Sequence, residues 1–104
     1  MEIHYYDSNV EKFIDRWDLQ TRAKIAREMR YLRELGFALR MPHSKMLEQD
    51  IFELRIHGRQ EIRMLYTFYR GCAYVLHTFQ KKTRRTPRAE IAIARNLRFL
   101  LEKR

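Results

Sequence analysis

Basic residues near the carboxyl-terminal end of this 104-residue chain are spaced closely enough to bind phosphate. Five of the eight positions from 81 to 88 are basic and none is acidic: Lys81, Lys82, Arg84, Arg85 and Arg88. Residues 1–50 contain nine basic and nine acidic side chains, so the formal net charge of +9 arises entirely after residue 50. Concentrated positive charge favours polyanions through counterion release, which predicts a nucleic-acid partner. Simple solubility and an acidic protein partner are the alternatives.

A second group of polar residues alternates with apolar ones on two predicted strands that precede the basic segment. In IFELRIH, residues Glu53, Arg55 and His57 share one face and the apolar residues share the other. The next strand, EIRMLYTFY, has Arg63 on its polar face. If the apolar face meets the helices, then Arg55, His57 and Arg63 point to an open face. Together with the basic segment, they predict the rim of a cationic concave surface.

The elements that position these residues follow from two hydrophobic periods. A short strand at residues 2–6 precedes two amphipathic helices that form a hairpin. Residues 37–50 are predicted to be irregular, because Pro42 interrupts them. Three strands with short turns then form an antiparallel meander, and a last helix begins at Thr86 and Pro87. The order β-α-α-β-β-β-α predicts an α+β fold with helices packed on one face of a small twisted, mainly antiparallel sheet.

Length and composition exclude several classes of protein. With 104 residues and 45% hydrophobic side chains, we expect residues 1–104 to form a single domain. No apolar run is long enough to cross a membrane, and no signal peptide is visible at the amino terminus. Cys72 is the only cysteine, which predicts a cytoplasmic protein without a disulfide or a thiolate metal site. The histidines and acidic residues also lack metal-site spacing, so neither a metal nor another cofactor is expected.

Three segments together resemble a known protein family. They are IFELRI (51–56), EIRMLYTF (61–68) and YVLHTFQKKTRRTPRAEIAIA (74–94). In the last segment, an apolar strand ending in His-x-Phe leads through Lys-Lys-Thr to a Thr-Pro pair that opens a helix. In this order and spacing, and over essentially the whole chain, the sequence resembles toxins of the RelE/ParE superfamily. It is most similar to the HigB-like, phage-related branch of type II toxin–antitoxin systems.

The resemblance implies a metal-independent endoribonuclease that cleaves mRNA on the ribosome. It also implies a cognate antitoxin, which in HigB systems is usually a helix-turn-helix protein of the HigA type. The family's phosphate-binding arginine and neighbouring basic residues correspond in position to Arg55, Arg63, Lys81 and Lys82. Glu53 stands where RelE has a lysine, and residues 86–90 lack the tyrosine that RelE has near the start of its last helix.

RNA cleavage by its own 2′-hydroxyl requires removal of the hydroxyl proton, stabilisation of the crowded phosphorane and protonation of the leaving oxygen. The predicted catalytic residues are Arg63, Lys82, His57 and Glu53. Arginine and lysine can clamp the phosphate, and histidine, here His57, is a residue type suited to acid–base catalysis. Glu53 could orient His57 or act as the base, whereas the alternative is a salt bridge from Glu53 to Arg55 or Arg63. His77 is either a core histidine or a site residue.

The predicted nucleic-acid surface comprises Arg55, Arg63, Lys81, Lys82, Arg84, Arg85 and Arg88. Three other functions fit the same residues. The chain could be a ParE-like inhibitor of DNA gyrase, which needs no catalytic residues, or a non-catalytic domain that binds RNA or the ribosome. It could also be a phage remnant that has lost its toxicity. The HTF–KK–T pattern favours the mRNA-cleaving toxin.

Overall fold

The chain folds around a five-stranded mixed sheet with three helices, described for residues 1–104 by a computed structural model. The strands are β1 (Ile3–Tyr5), β2 (Ser44–Glu48), β3 (Ile51–Ile56), β4 (Ile62–Tyr69) and β5 (Cys72–Gln80). The helices are α1 (Ser8–Asp15), α2 (Leu19–Leu35) and α3 (Arg88–Leu101), with a 3-10 turn at Gly36–Ala38. The predicted α+β class is confirmed. No helix has the length and apolar character needed to cross a membrane.

The strands lie in the order β1-β5-β4-β3-β2, which confirms the predicted meander of β3, β4 and β5. β1 is parallel to β5, with Ile3 opposite Ala73, and all other neighbours are antiparallel. The turn between β4 and β5 consists of Arg70 and Gly71, both with positive φ, at 50° and 77°. Left-handed conformations at two successive residues match the twist of a tight hairpin, and glycine adopts them without steric cost.

The prediction that residues 37–50 are irregular is wrong for β2, which pairs antiparallel with β3. Pro42 precedes this strand instead of interrupting it, as is usual for proline beside an edge strand. Met46 is exposed, so β2 lacks the regular apolar alternation that identifies a strand from sequence. The strand is held partly by Ser44, whose buried hydroxyl lies 2.6 Å from the Tyr66 hydroxyl.

The helix hairpin of α1 and α2 packs on one face of the sheet, as predicted. Its apolar side chains contact the strand residues of β3, β4 and β5 that point to this face. The buried helix residues in this core are Val10, Phe13, Ile25, Met29 and Leu32. The buried strand residues are Leu54, Ile56, Ile62, Met64, Tyr66, Ala73 and Val75.

The last helix, α3, forms a smaller apolar cluster with strand residues that point away from the α1–α2 hairpin. Ala94 and Leu101 pack with Ile51, Leu65 and Leu76. Because successive strand residues point to opposite sides, these contacts place α3 beside the sheet surface that carries the predicted site residues. α3 begins at Arg88, after an N-cap at Pro87, one residue later than expected.

Candidate functional site

Pairing between neighbouring strands brings several of the predicted site residues next to one another. Arg55 of β3 lies opposite Arg63 of β4, and Glu53 lies opposite Lys45 of β2. Lys81 directly follows β5, and its backbone N–H extends the hydrogen-bond ladder with β4 at 2.7 Å. Residues two apart on a strand share a face, so these side chains gather on one side of the sheet. The site therefore requires the pairing of four neighbouring strands, β2, β3, β4 and β5.

Glu53 joins two arginines at the base of this region. Arg63 is 1% exposed and Glu53 is 2% exposed. Oε1 of Glu53 lies 3.6 Å from Nε of Arg55 and 3.7 Å from Nε of Arg63, so this carboxylate faces both guanidinium groups. Both distances exceed hydrogen-bond length, and neither Nε–H has another acceptor in the chain. The second oxygen, Oε2, accepts a hydrogen bond from the Thr86 hydroxyl.

Two expectations about this cluster need correction. Arg63 does not lie on an open face: it is 1% exposed, and its guanidinium faces the carboxylates of Glu53 and Glu61. Glu53 does not orient His57 either, since its two oxygens face the arginines and Thr86. The alternative prediction, a salt bridge from Glu53 to Arg55 or Arg63, matches the structure. The alternation of polar and apolar residues does not reveal these contacts of Glu53, because it does not show which segments pack against each face of the sheet.

His57 is paired with Glu61, across the turn that joins β3 and β4. Nδ1 of His57 lies 2.9 Å from Oε1 of Glu61, which also accepts from Nη2 of Arg63 at 3.1 Å. Burial opposes ionisation of Glu61, but hydrogen bonds from His57, the Gly58 N–H and Arg63 outweigh it and hold the Glu61 pKa below its usual value. An ionised Glu61 requires a donor at Nδ1, which leaves Nε2 of a neutral His57 as an acceptor. This tautomer suits a general base.

A cleft of about 420 Å³ lies between β2, β3 and the segment that leads to α3. The basic residues that line it are Lys45, Arg55, Lys81, Arg84 and Arg85. Glu53 and Thr86 also contribute to the lining. The sequence does not indicate Lys45 as a site residue, because residues 37–50 are predicted to be irregular and only the pairing with β3 places Lys45 opposite Glu53. We call this feature the cationic cleft.

The basic segment divides into two parts around the cationic cleft. Lys81, Arg84 and Arg85 line the cleft, whereas Lys82 and Arg88 are exposed outside its lining. Burial lowers the pKa of Lys81, and the positive charges of Arg63 and Arg55 lower it further, against the opposing effects of two carboxylates. A lysine in this environment releases its proton more readily than an exposed lysine does.

His77 lies outside the cationic cleft and joins β5 to α3. Its Nε2 is 3.0 Å from Oε2 of Glu90, and both side chains are about a fifth exposed. His77 also lines the largest cavity, of about 590 Å³, which lies between α1, β5 and α3. Most residues around that cavity are uncharged, so the smaller cationic cleft is the better candidate for binding a polyanion.

The cationic cleft does not contain a set of three metal-ligating side chains. The only such group in the chain is Glu2, His4 and Cys72, located where β5 begins, whereas the cleft lies where β5 ends. The cleft lining supplies cations for phosphate, among them Lys81 with its lowered pKa. The His57–Glu61 pair lies outside the lining and is connected to Glu53 through Arg63.

The three-helix, five-stranded architecture with this arrangement of strands is consistent with the RelE-like class of small toxins. Residues 12–98 match the family model described as "Phage derived protein Gp49-like (DUF891)". Because the match covers most of the chain, the protein belongs to this Gp49-like family, which is a RelE-like toxin family. Membership implies an antitoxin partner. No curated protein matches the chain.

Proposed function

We propose that this protein is the toxin of a type II toxin–antitoxin pair, of the HigB-like branch, and that it cleaves ribosome-bound mRNA. Its partner would be a helix-turn-helix antitoxin of the HigA type. Family membership supports the toxin assignment. The observation that carries the enzymatic part is the cationic cleft, which is lined by five basic side chains and the buried Glu53. Arg63 connects Glu53 to the His57–Glu61 pair outside the lining.

The cationic cleft is suited to hold a phosphodiester. Lys45 and Lys81 supply compact charges, and Arg55 supplies a planar guanidinium that can contact two phosphate oxygens. Lys82 and Arg88 extend the positive surface beyond the cleft, where further phosphates of a single strand would lie. Arg63 is too deeply buried to contact RNA in this conformation, so we assign it a positioning role for Glu53 and Glu61.

Proton transfer would then proceed as follows. The 2′-hydroxyl loses its proton to Nε2 of His57 as its oxygen attacks phosphorus, and Glu61 stabilises the imidazolium that forms. The cations of the cleft stabilise the additional negative charge on the phosphorane. Lys81 donates a proton to the 5′-oxygen as the P–O5′ bond breaks. The products are a 2′,3′-cyclic phosphate and a 5′-hydroxyl end.

This assignment replaces Glu53 with His57 as the preferred base. Glu53 is almost fully buried, and its oxygens already face Arg55, Arg63 and Thr86. A carboxylate in that position holds the cations and the loop in place and cannot reach a substrate hydroxyl without breaking those contacts. The exposed His57 needs no such rearrangement.

The experiment is induction of the chain in a bacterium without its antitoxin, with mRNA 5′ ends mapped across the transcriptome. The test variant is Lys81→Ala/Lys82→Ala, and the matched control is Arg22→Ala/Arg27→Ala, which removes the same charge from the exposed surface of α2. We expect new ends within translated codons for the wild type and control, and a strong reduction for the test variant. Blocking translation initiation should abolish the new ends.

Other outcomes would identify the competing functions. Growth arrest with DNA damage and no new mRNA ends would support gyrase inhibition. Ribosome binding that survives loss of His57, without cleavage by the wild type, would support a non-catalytic binding domain. The absence of any growth effect or RNA cleavage would indicate an inactive remnant.

A further inference from the structure

Three metal-ligating side chains of different types meet on the side of the sheet where β1 pairs with β5. Glu2 and His4 are two positions apart near the amino terminus, so both point to the same side of the strand. The parallel register puts Ile3 opposite Ala73, which brings Cys72 beside Glu2. A carboxylate oxygen, an imidazole nitrogen and the thiol sulfur lie within 4.8 Å of one another.

The distances between these atoms are close to those of a zinc site. Sγ of Cys72 lies 3.8 Å from Oε2 of Glu2, and Nε2 of His4 lies 4.0 Å from the same oxygen. Tetrahedral zinc with ligands at about 2.0–2.3 Å holds neighbouring ligand atoms at roughly 3.3–3.8 Å. Small adjustments of the exposed Glu2 side chain would close the difference.

The backbone beneath this group is held independently of any metal. The Ala73 N–H donates to the Glu2 carbonyl at 3.0 Å, and the amino-terminal ammonium donates to the Arg33 carbonyl at 2.9 Å. The His4 ring stacks on Tyr74 with centroids 5.1 Å apart, which limits the orientation of the imidazole. No lysine or arginine of the chain forms an ion pair with Glu2.

We propose that Glu2, His4 and Cys72 form a zinc-binding site that links β1 to β5. Thiolate and imidazole ligands favour zinc over magnesium or calcium, and the carboxylate adds the negative charge that a divalent ion requires. Binding displaces the thiol proton, because the thiolate is the ligand. Water completes the coordination, since the chain supplies three ligands. The site is separate from the cationic cleft and does not depend on the proposed RNA cleavage.

The expected consequence is a more stable amino-terminal strand. β1 has only three residues, and zinc would bind strongly only where β1 and β5 are paired. A ligand that binds the folded state alone stabilises it by mass action, so the melting temperature should rise by roughly 10 °C at 100-fold excess of zinc over its dissociation constant.

The test is a titration of the purified full chain with Zn²⁺ by calorimetry and with Co²⁺ by absorbance. We expect one metal ion per chain and a cobalt spectrum with tetrahedral ligand-field bands and a thiolate charge-transfer band. Cys72→Ser should abolish the charge-transfer band and weaken zinc binding at least tenfold. The matched control is His57→Asn, which removes another exposed histidine that contacts a carboxylate but has no thiol nearby.

The variants also separate a specific site from general surface binding. His4→Ala should weaken zinc binding as well, while circular dichroism without metal shows both site variants to be folded. Equal zinc affinity in Cys72→Ser and wild type would overturn the proposal, as would a loss of binding in His57→Asn. One metal ion shared by two chains would also overturn it, because the ligands would then belong to different molecules.

Discussion

Replacing Lys81 and Lys82 with alanine should reduce the salt dependence of RNA binding. The five basic residues of the cationic cleft and the adjacent Lys82 could neutralise at most six phosphates. Each phosphate contact on a single strand contributes about −0.7 to the slope of log K against log salt, which predicts about −4 for the wild type. The double variant should have a slope of about −3. Between about 50 and 200 mM salt, the wild type would lose roughly 300-fold in affinity and the variant roughly 50-fold.

The assay is fluorescence anisotropy with a labelled 2′-O-methyl RNA, which cannot be cleaved because it lacks the attacking hydroxyl. Arg22→Ala/Arg27→Ala serves as the control, since it has the same net charge as the test variant and an intact cleft. A wild-type slope in the Lys81/Lys82 variant would refute the phosphate-binding role of these residues. An equal decrease in the control would show that net charge, and not the cleft, determines affinity.

Three further predictions concern stability and catalysis. Arg63→Ala should lower the free energy of unfolding, measured by urea denaturation, by about 3–5 kcal/mol, because the buried charge of Glu53 loses one of its cationic partners. Glu53→Gln/Arg63→Met, which removes both charges, should lower it less. The folded-state pKa of Glu61 lies below its ordinary value of 4.5, so its contribution to stability is present above that pH and is lost as the pH falls through the lowered pKa. Glu61→Gln should therefore flatten the acid limb of a stability–pH curve, and an unchanged limb would exclude this contribution. His57→Asn should lower RNA cleavage by about 10²–10⁴-fold with RNA affinity retained, and a cleavage rate like that of the wild type would exclude His57 as the base.

The elements with strong periodicity could be predicted from the sequence. β3 and β4 alternate between polar and apolar residues, and β5 is apolar on nearly both faces. The helices have apolar residues at helical spacing, because each helix buries one side against the sheet. β2 could not be identified in this way, since it is an edge strand with an exposed Met46. Its pairing with β3 adds Lys45 to the cationic cleft.

The sequence by itself determined the α+β class, the meander and the location of the excess positive charge after residue 50. The tertiary structure decided which charges neutralise one another, because pairing depends on distances of a few ångströms between residues far apart in the chain. Glu53 therefore joins Arg55, Arg63 and Thr86, and His57 joins Glu61. For the same reason, only the contact between β1 and β5 brings the single cysteine to a histidine and a glutamate that lie about 70 residues away in the sequence.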